Sequence, residues 1–72
     1  MKVQNLNHAT LIECRLGGIP AQIAVWRGGD YIVMDSKGYA APWLERKAGQ
    51  SAVFEAIQID AEQSLDRHQT RE

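Results

Sequence analysis

The stretch 9–35, ATLIECRLGGIPAQIAVWRGGDYIVMD, decides the fold. Thr10, Ile12, Cys14 and Leu16 alternate with Leu11, Glu13 and Arg15, a period of two that sends successive side chains to opposite faces of a strand. Gly17-Gly18 then separates this run from a second, 21–27. Two-residue Gly-Gly loops are common hairpin connectors because both positions tolerate φ > 0. Pro20 lies just inside the second run, so its missing N–H must face away from a strand partner. A second Gly-Gly, Gly28-Gly29, leads into Tyr31, Ile32, Val33 and Met34, β-branched and aromatic residues suited to a third strand.

Treating each Gly-Gly as a two-residue loop sets a register. The first loop places Leu16 opposite Ile19, Cys14 opposite Ala21 and Ile12 opposite Ile23. The second places Arg27 opposite Asp30, Trp26 opposite Tyr31, Val25 opposite Ile32 and Ile23 opposite Met34. One face then becomes almost wholly apolar, from Ile12, Cys14 and Leu16 through Ala21 and Ile23 to Ile32 and Met34. The other face is mixed: Glu13, Arg15, Gln22 and Asp35 share it with a Leu11, Ala24, Val33 row and the pair Trp26 and Tyr31.

Outward from this meander, an arm at 1–8 offers Val3 and Leu6 as its apolar anchors and carries no assigned structure. Residues 36–50 read as a loop or edge strand: Tyr39-Ala40-Ala41 ends at Pro42, which equally suits the first position of a helical turn running to Gly49. In 51–68, Val53, Ile57, Ala61 and Leu65 recur every four residues, which predicts an amphipathic helix with Ser51 as its N-cap. Val53, Ile57 and Ile59 would also share a strand face, but the Ala, Glu and Gln content favours helix. The expected fold class is α+β: a small antiparallel β-meander of three or four strands, with one C-terminal helix packed on its apolar face.

At 72 residues the chain is expected to form a single domain, 1–72. With 44% hydrophobic and 24% charged residues it has enough apolar side chains for a core, which sets it apart from disordered segments. One cysteine, Cys14, excludes an internal disulfide framework. No apolar run approaches a membrane span and no signal-peptide pattern is read at the start, so a cytoplasmic location is expected. The net charge of −1 supplies no field that draws the chain to nucleic acid.

Chemistry is sparse. His8, Cys14 and His68 lie far apart and lack the short spacing of zinc ligands, so neither metal nor cofactor is expected. Neither glycine pair opens a helix as phosphate-binding loops do. A chain this short has little material to enclose a catalytic pair such as Asp30 and Asp35, so no enzymatic activity is expected. Surfaces remain. Trp26, Arg27 and Tyr31 cluster at a hairpin tip beside Leu11 and Val33, residue types rich in binding hot spots. Alternatively, Trp43, Leu44 and the N-terminal arm fold back to make a second small core there.

The expected function is a small non-enzymatic protein-binding module, an adaptor or inhibitor of another macromolecule, with self-association into a homodimer through the same sheet face. A competing expectation is weak single-stranded nucleic-acid binding on that face, where two aromatics and two arginines would stack and neutralise a strand. Glu55, Glu62 and Asp66 form an acidic docking stripe on the helix, or an ordinary solvated face.

Overall fold

A computed structural model describes residues 5–70, with side chains given for 5–63. Strands β1 (Thr10–Leu16), β2 (Ile19–Val25) and β3 (Tyr31–Asp35) form one antiparallel sheet in the order β1-β2-β3. Helices α1 (Pro42–Ala48) and α2 (Gln50–Thr70) follow. The α+β meander with a C-terminal helix on its apolar face is therefore the observed architecture.

The first hairpin has the expected register, with Leu16 opposite Ile19, Cys14 opposite Ala21 and Ile12 opposite Ile23. Gly17 and Gly18 stand at φ 61° and 81°, the pair of left-handed positions that a tight turn requires here. A Cβ at Gly17 would also stand 3.2 Å from the Lys47 side chain, which would have to shift to admit it.

The second hairpin differs by one residue. Val25 opposes Tyr31, Ala24 opposes Ile32, Ile23 opposes Val33 and Gln22 opposes Met34. The loop holds three residues, not two: the Trp26 N–H donates to Asp30 O, and the Gly29 N–H donates back to Trp26 O. Among the two loop glycines only Gly29 enters the left-handed region, at φ 99°. That is a turn followed by a one-residue bulge, whereas the two-residue loop expected from sequence needs both glycines left-handed. Tyr31 and Val33 consequently lie on the helix side. Ile32 and Met34 go to the far face.

Ile12, Leu16, Ala21, Ile23, Val33, Ala41, Leu44 and Val53 form the main core between the sheet and the two helices. Cys14, Val25, Tyr31, Ala52, Ala56 and Ile57 pack at its margin.

The segment between β3 and α1 makes a single bridge in place of a fourth strand and then enters a helix. Asp35 accepts hydrogen bonds through Oδ1 from the N–H groups of Lys37 and Tyr39, which turns the chain back. Ala40 bridges Met34 and the Ala41 N–H donates to Val33 O. Pro42 then starts α1, and Gly49 at φ 97° ends it.

Helix α2 begins at Gln50, so Ser51 is inside the first turn and is not its cap. Among its described side chains, those that pack lie in its first half. Val53 is buried and Ile57 half-buried, but Ala61 is exposed, so the apolar arc ends before the third of its expected positions. Leu65 and His68 have side chains outside the described set, and Val3 lies outside the described residues altogether. Among the described residues no helix is long and apolar enough to cross a membrane.

Candidate protein-binding surfaces

The sequence grouped Trp26, Arg27, Tyr31, Leu11 and Val33 on one surface. The structure divides them. Val33 is buried in the main core, and Tyr31 lies on the helix side of the sheet. The shifted second hairpin is the reason, since it reverses the face of every β3 residue. Leu11 and Trp26 stay on the far side, and Arg27 lies in the hairpin loop.

On that far face, Leu11, Ala24 and Ile32 make one row across all three strands, in place of the expected Leu11, Ala24, Val33 row. Leu11 is 52% exposed, whereas Ala24 and Met34 are buried. The Trp26 Nε1–H donates to Asn7 O at 2.9 Å, tying the hairpin tip to the N-terminal arm. The N-terminal arm thus reaches this side of the sheet through one exposed hydrogen bond. Trp43 and Leu44 do not join it: Leu44 is buried in the main core and Trp43 is 47% exposed on α1.

Tyr31 instead builds a cluster that the sequence did not disclose. Its hydroxyl donates to Glu45 Oε2 on α1. Its ring meets Phe54 of α2 edge-on, with centroids 5.7 Å apart and planes at 82°. The hydrogen bond to Glu45 raises the phenol pKa above its ordinary value, because a donating O–H is stabilised against ionisation; the Gln50 side chain opposes this. Edge-to-face geometry is a favoured aromatic arrangement, yet Phe54 remains half exposed. No signal in the sequence couples Tyr31 to Glu45 and Phe54, which are separated by a loop and a helix.

A groove of about 340 Å³ runs between the outer edge of β1 and α2, lined among others by Ile12, Cys14, Ala52, Ala56 and Ile59. Ile59, which lay off the expected helical arc, is 47% exposed beside it. Glu55 and Glu62 are exposed on α2, and the side chain of Asp66 lies outside those described.

Cys14 is half-buried on the helix side of β1, and burial pushes its thiol pKa up. A raised pKa means less thiolate, the reactive form, at any pH below it. The native thiol is therefore expected to react more slowly with a disulfide reagent than the thiol in denaturant, and its rate to rise with pH later than that of the unfolded chain. Equal native and unfolded rates across the pH series would contradict this placement.

Among the described residues no three His, Cys, Asp or Glu side chains come together to hold a metal ion. No family model matches the chain, and comparison with curated proteins and with solved structures finds no match.

Proposed function

We propose that the protein is a small non-enzymatic protein-binding module, an adaptor or inhibitor, whose far sheet face and hairpin tip contact the partner. The observation that supports this reading is the exposed Leu11 on the far face opposite Ala24, with the half-buried Trp26 two residues along the chain from Ala24 and the exposed Arg27 next in the loop. Trp and Arg are among the residue types most enriched in interface hot spots, and an exposed apolar side chain on the same face adds surface to be buried. Single-stranded nucleic-acid binding loses support, because Tyr31 does not share that face with Trp26 and cannot complete a stacking platform there.

The test begins with affinity capture from cells that produce the protein, followed by titration of the captured partner. Trp26→Ala and Leu11→Asp are each expected to weaken binding by about 2 kcal/mol or more, roughly 30-fold. Leu11→Asp should leave the melting temperature nearly unchanged, since Leu11 is half exposed on a sheet edge. Unchanged affinity in both variants would refute the far-face reading. Affinity that falls steeply with salt would point to phosphate contacts, and so to nucleic acid.

A further inference from the structure

The two outer edges of the sheet are treated differently by the chain. Outside β3, Ala40 bridges Met34 and the Ala41 N–H donates to Val33 O, so that edge is partly closed. Among the described residues nothing pairs with the outer edge of β1, although it is seven residues long. A free edge of that length is a template for another strand.

Pro20 reveals what this edge presents. It opposes Arg15 and has no N–H, so Arg15 and Pro20 form a pair without ladder hydrogen bonds. Antiparallel pairs alternate between bonded and non-bonded types. The main-chain groups of Leu11, Glu13 and Arg15 therefore point away from β2, out of the sheet. The side chains of Glu13 and Arg15 are both exposed, two residues apart on the far face.

We propose that β1 pairs antiparallel with β1 of a second copy of this chain, about a two-fold axis at Cys14. The inference goes beyond the far-face reading and uses a different surface, the sheet edge. In this register Glu13 faces the partner's Arg15, and Arg15 faces the partner's Glu13. Both are pairs whose outward main-chain groups exchange hydrogen bonds, so backbone and charge agree on the same alignment. Sliding the partner by two residues in one direction sets Glu13 against its own copy, and in the other sets Arg15 against its own copy. Like charges directly opposed are destabilising, so the strand's charge pattern selects the register centred on Cys14.

The helix side of the edge is compatible with the same register. Ile12 would face the partner's Leu16, and Cys14 the partner's Cys14. The groove between β1 and α2, lined by Glu55, Asp60 and Gln63 as well as Ala52, Ala56 and Ile59, would lie along the junction, and the half-exposed Ile59 would lose water. The sheet would become continuous across the pair, a mode of association in which main-chain bonds supply affinity and side chains supply specificity.

The test uses the full chain and reverses charges that lie outside the core. The wild type is expected to sediment as a dimer. Glu13→Arg alone and Arg15→Glu alone should each weaken self-association by about tenfold or more, and the double variant should restore it. Opposed cysteines in a non-bonded pair have Cα atoms about 4.5 Å apart, within the span of a disulfide. Diamide, which oxidises two thiols to a disulfide, should therefore link wild-type subunits through Cys14 faster than it links either single variant. A monomeric wild type, or a double variant as weak as the singles, overturns the proposal. So does a dimer indifferent to both charge reversals and lost in Leu11→Asp, which would place the contact on the far face instead.

Discussion

Ile23→Asp is expected to abolish cooperative folding. Ile23 is fully buried at the centre of the middle strand, opposite Ile12 on one side and Val33 on the other, in one core cluster with Leu44 and Val53. A carboxylate there has no hydrogen-bond donor within its apolar surroundings, and burying such a group costs several kcal/mol even when it takes up a proton. A chain of 72 residues has a total stability of about 4–11 kcal/mol at typical per-residue values. The penalty is therefore comparable with the whole.

The sign with pH follows from the same burial. An apolar site raises the carboxyl pKa in the folded state above its unfolded value, so the unfolded chain ionises first and stability falls as pH rises through the interval between the two. Chemical denaturation of the variant at pH 4 and pH 7 checks this, with any residual cooperative transition expected only at the lower pH. A sharp melt at pH 7 near the wild-type temperature would contradict the core assigned here.

Ile23 is also the residue at which the sequence was most and least informative. Its pairing with Ile12 was legible because β1 is apolar on one face and charged on the other, so Glu13 and Arg15 forbid a slip. Its pairing with β3 was not. Tyr31, Ile32, Val33 and Met34 are apolar on both faces, so a one-residue shift exchanges one apolar set for another and leaves the face intact. The loop carried no veto either: Arg27-Gly28-Gly29 suits a three-residue connection as well as Gly28-Gly29 suits a two-residue one.

That single ambiguity propagated into the site. The expected Trp26 and Tyr31 pair depended wholly on the second register, and the cluster of Tyr31 with Glu45 and Phe54 is what replaces it. Local chemistry was more readable where one residue type forces the geometry. Pro42 and Gly49 bracketed α1, and Pro20 fixed the direction of the outer edge of β1. Tertiary limits were not readable in α2, whose spacing of four includes Ala61 although, among the described side chains, Ala61 is exposed and those packed on the core reach only to Ile57.

This uneven use of α2 gives the second large effect. Ile57→Pro is expected to remove about 3 kcal/mol or more, because proline deletes the bond from residue 57 to the Val53 carbonyl and clashes with that carbonyl. The break falls in the segment that carries Val53, Ala52 and Ala56 into the core, so the helix cannot bend away without uncovering the sheet. At about 4–8 °C per kcal/mol for a domain of this size, the melting temperature should drop by at least about 12 °C. Gln63→Pro makes the same chemical change further along, where Ala61, Glu62 and Gln63 are all exposed. There the helix can open locally without moving any of the described buried side chains, and the loss should be much smaller. Thermal melts of both variants, followed by far-ultraviolet circular dichroism, separate a helix that holds the domain through its first half from one that does so along its whole length. Equal destabilisation by the two prolines would show that the distal turns contribute to the fold as much as Val53 and Ile57 do.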